Sequence, residues 1–188
     1  MSFTTNPYAQ AGWASQDSTP SIFSSPAVPS IHQFRFTNLN PNILDCTVVG
    51  PRSVPYFRVT NNSPTPNFTL FQNQEGKSIA VIEWRESTGP VVEVRDIVRK
   101  QFVATWLQLS SNRQYRFMQV HDRTFVWMPK GENVELYTYG TGSPVFYAKL
   151  SRTRREVVLD MTSAAVQEGL LDCCVVAVVL LQSGRLIE

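Results

Sequence analysis

Two clusters of basic side chains are the strongest candidates for ligand binding in this sequence. The first contains Arg95, Arg99 and Lys100, and the second contains Arg152, Arg154 and Arg155, with Lys149 nearby. Guanidinium groups match the geometry of phosphate oxygens and bind them through paired hydrogen bonds. Anionic lipid surfaces also attract basic segments by about 1 kcal/mol per residue. We therefore expect these residues to bind an anionic headgroup or a phosphorylated ligand.

Both clusters also have a purely structural interpretation. The arginines of the second cluster could pair with Glu156 or Asp160, or either cluster could be an ordinary solvated loop. The net charge of the whole chain is +2, which is too near zero to indicate nucleic-acid binding. We predict no nucleic-acid partner.

Catalytic and cofactor-binding patterns are missing from the sequence. It contains no glycine-rich phosphate loop, no nucleophile elbow and no histidine pair at metal-ligand spacing. His121 beside Asp122 could act as a base with its orienting carboxylate, but a polar turn between strands is the preferred interpretation. Cys173 has apolar neighbours, whereas a nucleophilic cysteine needs an exposed, electropositive setting. We predict a non-enzymatic binding module without cofactor or metal, and rank an unrecognised enzyme last.

The longest apolar run, residues 170–181, contains a single carboxylate, Asp172. A membrane span needs about 20 apolar residues, so a run of this length indicates a buried core element. Its valines favour a strand. Its length and flanks favour a helix, with Thr162 or Ser163 as N-cap and Gly184 after the C-terminus. We predict a helix enclosed on all sides, and we expect Asp172 to cap it or to contact an arginine.

The chain before this run predicts many short β-strands. Segments such as residues 78–84 alternate apolar and polar side chains and are separated by Gly, Pro and Asn turns. Residues 95–108 interrupt the pattern and predict a short helical turn or a covering loop. Residues 1–30 are rich in Ser, Thr and Pro and predict a flexible tail. Residues 31–188 are predicted to form one domain, an antiparallel barrel or sandwich.

Four strand-like motifs and the final apolar run carry a resemblance to a known family. They are Ala80–Trp84, Tyr115–Phe117, Arg123–Trp127, Glu135–Tyr137 and Leu171–Val176. The sequence resembles the Tubby C-terminal-like superfamily, which includes Tubby proteins, phospholipid scramblases and LURP-one-related plant proteins. Within it, the likeness is greatest to an uncharacterised family of mushroom-forming fungi.

The resemblance implies a mainly β fold, a closed antiparallel β-barrel around one buried hydrophobic C-terminal helix. It also implies phosphoinositide binding by basic side chains on the barrel surface. The binding motif of Tubby proteins is not reproduced residue by residue in this chain. A helix that fills the barrel leaves little interior for a ligand, so we expect function on the outer strands, the loops or the barrel mouth.

The expected partner is an anionic membrane lipid headgroup. The alternative is a protein-interaction module that acts through residues 1–30 or through exposed aromatics such as Trp84 or Trp106. Residues 1–8 lack the basic and apolar regions of a signal peptide. We therefore predict an intracellular protein, either cytoplasmic or peripheral to a membrane.

Overall fold

The computed structural model describes residues 30–61, 67–140, 142–153 and 156–188. Arg154, Arg155 and all but the last residue of the predicted tail therefore lie outside the described residues. Twelve β-strands occur in the described ranges: β1 Ile31–Thr37, β2 Cys46–Val49, β3 Pro55–Thr60, β4 Phe68–Asn73, β5 Ser78–Glu83, β6 Val91–Val94, β7 Val98–Phe102, β8 Arg116–Val120, β9 Arg123–Lys130, β10 Asn133–Thr138, β11 Phe146–Arg152 and β12 Val157–Thr162. The α-helices are α1 Val103–Trp106, α2 Ser163–Gln167 and α3 Leu171–Gln182, and a single 3-10 turn spans Pro51–Ser53.

The strands form one antiparallel sheet that curls around α3. Consecutive strands pair from β1 to β7 and from β8 to β12, and β1 pairs with β12. The edge strands are β7 and β8, and the short helix α1 contacts both. The predicted antiparallel barrel around a hydrophobic C-terminal helix is confirmed, with α1 at the seam between the two edges.

The alternation of side chains explains how the sheet encloses the core. Phe34 and Phe36 of β1 and Leu159 and Met161 of β12 are buried, and the residues between them face outward or are only partly covered. Residues at alternate positions of a strand point to the same face of the sheet. The inward faces of these strands therefore form a continuous apolar wall.

Helix α3 lies in the space that this wall encloses, as predicted. Every residue from Cys173 to Leu180 is no more than 1% exposed. A helix with no polar face must be surrounded by other elements, and burial here outweighs the preference of valine for strands. None of the helices in the described part of the chain is both long and apolar enough to cross a membrane.

The predicted helix is divided into two at its beginning. The Oγ1 of Thr162 accepts a 3.1 Å hydrogen bond from the Ala165 N–H and caps α2, which ends at Gln167. Gly169 then has a φ of +75°, a conformation that glycine adopts without steric cost. The chain turns there and starts again as α3 at Leu171.

Residues 95–108 contain more regular structure than the sequence predicts. The expected short helical turn is present as α1, but β7 precedes it. Arg99, Lys100 and Gln101 occupy three successive positions of this strand with none of them fully buried. An edge strand next to the seam presents little apolar alternation, so the sequence pattern did not indicate it.

The two ends of the barrel differ, because α3 begins at one end and finishes at the other. We call the end where α3 finishes the helix-exit end. It carries the loops of residues 84–90 and 107–115, the ends of β5 and β11, and the C-terminal segment of residues 183–188. The candidate site lies at this end.

Candidate functional site

A groove of about 670 Å³ lies at the helix-exit end, between the 84–90 loop and the C-terminal segment. This volume is in the range of small-molecule sites. Its lining side chains are mostly polar or charged: Asn67, Trp84, Arg85, Glu86, Ser87, Thr88, Gly89, Arg185, Leu186 and Glu188. We call it the Arg185 groove.

Trp84 provides a fixed surface in the Arg185 groove. Its Nε1 donates a 2.9 Å hydrogen bond to the Oγ1 of the fully buried Thr69. The Thr69 hydroxyl in turn donates to the Oδ1 of Asn61 at 3.3 Å. Trp84 is only 7% exposed, so the prediction that it is an exposed aromatic is wrong. The bonded indole can orient a group that stacks on its accessible face.

That group is the guanidinium of Arg185. Its central carbon lies 4.7 Å from the centroid of the Trp84 ring, within range of a cation–π contact. Gly184, with a φ of +69°, turns the chain after α3 and brings Arg185 to the groove. Among the described residues, no carboxylate pairs with Arg185. Its N–H donors are therefore free of an acidic partner among the described residues, while the guanidinium lies over the Trp84 ring.

Glu83 does not line the groove but pairs with Arg85, which does. It accepts two hydrogen bonds from Arg85, at 2.9 Å and 3.0 Å, and its other close partner is the Nζ of Lys100 at 3.0 Å. The Arg85 hydrogen bonds, followed by the Lys100 contact, lower the pKa of Glu83 from 4.5 to about 2. Two cations thus share one carboxylate, and the groove lining itself contains two arginines, Arg85 and Arg185, and two glutamates, Glu86 and Glu188.

The predicted site residues fall on different strands. Lys100 lies on β7 and is linked to the Arg185 groove through Glu83 and Arg85. Arg99 is exposed on the same strand. Arg152, at the end of β11, donates a 2.9 Å hydrogen bond to the Oε1 of Gln182, the last residue of α3. Since β7 and β11 are not neighbours in the sheet, the described members of the two basic clusters do not form one continuous strand surface.

Among the described residues, no arginine of the second cluster pairs with Glu156 or Asp160. The Nζ of Lys149 lies 3.3 Å from Asp160, on the facing strand β12. The hydrogen bond of Arg152 goes to Gln182 instead of to a carboxylate.

Trp106 and the polar turn at residues 121–122 have structural roles. Trp106 is 1% exposed and its Nε1 donates a 2.9 Å hydrogen bond to the Gln119 carbonyl, so its prediction as an exposed aromatic is also wrong.

His121 and Asp122 form the turn between β8 and β9, as predicted, with His121 at a φ of +52°. Arg123 then pairs with Glu168 and donates a 2.8 Å hydrogen bond to the Tyr147 hydroxyl. These contacts fasten the segment between α2 and α3 to the barrel.

The cysteines and Asp172 have environments dominated by burial. Burial raises the pKa of the Cys46 and Cys173 thiols to about 12, and raises the pKa of Cys174 further above its usual value. Such thiols are poor nucleophiles.

Burial also raises the pKa of Asp172. Asp172 lies in the first turn of α3 but makes no side-chain capping bond, and none of the described arginines pairs with it. The expected cap or arginine contact is therefore not found among the described residues.

Possible metal ligands do not gather in the described part of the chain. No group of three or more His, Cys, Asp or Glu side chains there could hold a metal ion. The polar chemistry of the Arg185 groove consists instead of guanidinium, hydroxyl, amide and carboxylate groups.

The fold and the groove define a class: a β-barrel protein with an enclosed C-terminal helix and a polar groove where that helix leaves the barrel. The chain belongs to the Family of unknown function (DUF6593), which it matches over residues 41–186. The X-ray structure of a protein from Arabidopsis thaliana is similar, with a TM-score of 0.39 and 10% sequence identity, over 77% of this chain and 90% of that chain. No curated protein matches the sequence.

Proposed function

We propose that this protein is a non-enzymatic binding module that recognises an anionic, phosphate-bearing ligand in the Arg185 groove. The observation that carries the proposal is the stacking of Arg185 on Trp84, 4.7 Å from its ring centroid, without a carboxylate partner among the described residues. A planar guanidinium held in this way keeps donors available for two phosphate oxygens. The ring also reduces the rotational freedom that Arg185 would lose on binding.

The other polar groups of the groove fit the same ligand chemistry. Ser87 and Thr88 supply hydroxyl groups, and Asn67 supplies an amide. Glu86 lies in the same groove and limits its positive charge. We therefore expect a ligand with a single phosphate or similar anionic group, instead of a long polyanion.

The basic residues outside the groove would add long-range attraction. Lys100 shares Glu83 with Arg85, and Arg152 lies at the same end of the barrel on β11. Together with Arg99, Arg154 and Arg155 they would favour an anionic surface such as a membrane that carries the phosphate as a lipid headgroup. Placement in the Tubby C-terminal-like superfamily, and a fungal source, are part of this proposal and rest on the sequence resemblance.

Binding is preferred to catalysis because of the chemical state of the candidate nucleophiles. The three cysteines are buried, with pKa values raised well above neutral pH. His121 lies in the turn at the end of the barrel opposite the groove. Neither group is placed where a ligand on Arg185 could meet it.

The experiment is a binding comparison with two sources of the same phosphate chemistry. Vesicles of phosphatidylcholine with and without phosphatidylinositol 4-phosphate are floated with the protein at low salt, and glycerol 3-phosphate is titrated into the free protein by calorimetry. We expect retention on the phosphorylated vesicles, or a saturable signal with glycerol 3-phosphate, or both. Equal behaviour on the two vesicle types together with no calorimetric signal would reject the proposal.

A protein partner is the second candidate, and one surface favours it. Tyr139 is 57% exposed, and its ring contacts Phe117 at 4.8 Å between centroids, which in turn contacts Tyr115 at 5.2 Å. Exposed, pre-packed aromatics are common at protein interfaces. Capture of a partner by the wild type but not by Tyr139→Ser would support this surface, and capture that depends on residues 1–30 would assign the contact to the tail.

A further inference from the structure

Three large apolar side chains are exposed at the end of the barrel opposite the Arg185 groove. Ile31 at the start of β1 is 48% exposed, Val145 just before β11 is 52% exposed, and Tyr139 just after β10 is 57% exposed. Strands β1, β12, β11 and β10 are successive neighbours in the sheet. The three side chains therefore lie at one end of the barrel, within three strand spacings. Grouped exposed apolar side chains mark interaction sites more often than single ones do.

Aromatic rings extend this group towards β8. The ring centroids of Tyr137 and Phe146 are 5.8 Å apart, and those of Phe117 and Tyr139 are 4.8 Å apart. Met118 of β8 is buried in the core, so its neighbour Phe117 points to the outer face of the sheet. Next to Phe117 and Tyr139 is a cleft of about 340 Å³ whose described lining residues carry no charge. We call this cleft, together with the following side chains, the Tyr139 surface: Ile31, Phe117, Tyr137, Tyr139, Val145 and Phe146.

The part of the chain that precedes the described residues joins the barrel beside this surface. The carbonyl of Ser30 accepts a 2.9 Å hydrogen bond from the N–H of Ser163, directly after β12. This contact fixes the point at which residues 1–29 join the barrel. Residues 20–29 contain no charged side chain, and most of them are apolar: Pro20, Ile22, Phe23, Pro26, Ala27, Val28 and Pro29. A segment of this kind loses no hydrated charge when it covers an uncharged surface.

The length of this segment matches the distance across the Tyr139 surface. Neighbouring strands lie about 4.8 Å apart, which places β11 about 10 Å, β10 about 14 Å and β8 about 24 Å from β1. Since an extended chain covers about 3.3 Å per residue, the reach from Ser30 is about 13 Å for Pro26, about 23 Å for Phe23 and about 33 Å for Pro20. Pro26 can thus reach β11, Phe23 can reach Tyr139, and Pro20 can reach the cleft beside β8.

The polar groups of the cleft suit a proline-rich occupant. Gln108 and Gln119 are exposed there, and their amides can donate to carbonyl groups. Proline carries no N–H, so a proline-rich segment brings more acceptors than donors. An acidic or basic partner, in contrast, would meet no opposite charge among the described lining residues of the cleft.

We propose that residues 20–29 pack across the Tyr139 surface of their own chain, with Phe23 against the rings of Tyr139 and Phe117. The contact removes apolar groups of both the segment and the barrel from water. Attachment through Ser30 makes the contact intramolecular, so the effective concentration of the segment is high and weak contacts suffice to hold it. The inference does not rest on the ligand proposed for the Arg185 groove, which lies at the other end of the barrel.

The test locates the segment in the full-length chain by paramagnetic broadening. A nitroxide is attached through Ser24→Cys, because the three native cysteines are buried, and amide signals of ¹⁵N-labelled protein are compared before and after its reduction. We expect the signals of Gln119 and Tyr139 to lose most of their intensity. Val54 is exposed at the same end but on the other side of β1, and its signal should be retained. Broadening at Val54 instead, or only beside Ser30, would overturn the proposal.

Two tail variants test the role of the aromatic side chain. Phe23→Ser should lower the ratio of packed to unpacked tail about tenfold, as expected when one largely buried aromatic side chain is lost. Phe3→Ser is the matched control, because it makes the same change in the same tail outside residues 20–29. Recovery of the Gln119 signal in the nitroxide-labelled protein is the measurement. Equal recovery in both variants would mean that the contact is not specific to residues 20–29.

A mixed sample separates the chain's own segment from that of a second copy. Nitroxide-labelled protein without ¹⁵N is mixed with ¹⁵N-labelled protein that carries no nitroxide. We expect the Gln119 and Tyr139 signals of the mixture to keep their intensity. Broadening as strong as in the singly prepared sample would show that a neighbouring molecule supplies the segment, which would contradict the proposal.

Discussion

Arg185 lies on the face of Trp84, with its guanidinium carbon 4.7 Å from the ring centroid. The tryptophan follows β5 and the arginine follows α3, so the contact joins the barrel wall to the segment that leaves its interior. Trp84 is itself held by Thr69, a buried residue of β4. The guanidinium that would bind the ligand is thus oriented by two strands and the end of the central helix.

The first prediction concerns the guanidinium. Arg185→Gln should lower the affinity for glycerol 3-phosphate by about tenfold or more, because a hydrogen bond to a charged group contributes about 1.5–3 kcal/mol. Folding should change little, since the side chain is exposed. Calorimetry measures the first effect and urea denaturation the second.

The matched control for that variant is Arg58→Gln. Arg58 is exposed in the middle of β3 and is not part of the Arg185 groove. The Arg58→Gln substitution removes the same charge from the protein as Arg185→Gln does. An equal loss of affinity in both variants would mean that net charge, and not the stacked arginine, is recognised.

The second prediction concerns the enclosed helix. Leu180→Ala should lower the free energy of unfolding by about 2–5 kcal/mol, because Leu180 is 1% exposed and the substitution leaves a cavity. Leu186→Ala makes the same chemical change at a side chain that is 80% exposed and should have an effect within about 0.5 kcal/mol. Urea denaturation of the two variants is the measurement. Similar midpoints would contradict the enclosure of α3.

The third prediction follows from the pKa of Glu83. Its folded-state pKa, about 2, lies below its ordinary value of 4.5, so its contacts with Arg85 and Lys100 stabilise the fold above pH 4.5. That contribution should decline between about pH 4.5 and pH 2, because in this range the unfolded state binds a proton that the folded carboxylate does not yet accept.

The measurement is urea denaturation in that pH range for the wild type, Glu83→Gln and the control Glu75→Gln. Glu75 forms a well-exposed pair with Lys77. We expect Glu83→Gln to show a weaker dependence on pH than either of the others. If the free energy of unfolding of Glu83→Gln changes with pH as steeply as that of the wild type, Glu83 does not contribute to the pH dependence of stability.

The fourth prediction uses the thiols. Cys46, Cys173 and Cys174 are buried and their pKa values are raised, so a thiol reagent at pH 8 should not label the native protein on the timescale of minutes. All three of the cysteines in the sequence should react in guanidinium chloride. Rapid native labelling of two thiols would place at least one of Cys173 and Cys174 in contact with solvent.

The sequence predicted the centre of this fold well, for a physical reason. Residues 170–181 have no polar face, and such a helix is stable in water only if other elements surround it. The alternation of apolar and polar residues in the preceding segments predicted the strands that surround it. The break at Gly169 was not predicted, because glycine near a helix start fits several local conformations.

The Arg185 groove was beyond the reach of sequence patterns, because its residues come from distant parts of the chain. Arg185 belongs to neither of the two basic clusters, and nothing in the local sequence connects it to Trp84. A signal for the burial of Trp84 did exist. Ala80, Ile82 and Trp84 occupy alternate positions, and all three side chains are buried.

The most direct test of the proposed function observes the Arg185–Trp84 pair while a ligand binds. Glycerol 3-phosphate is titrated into ¹⁵N-labelled protein, with glycerol as the uncharged control, and the Nε signals of Arg185 and Arg58 and the indole signal of Trp84 are followed. We predict saturable shifts of Arg185 and Trp84 with glycerol 3-phosphate only, and no shift of Arg58. Binding that leaves Arg185 and Trp84 unchanged, or shifts that glycerol reproduces, would contradict the account.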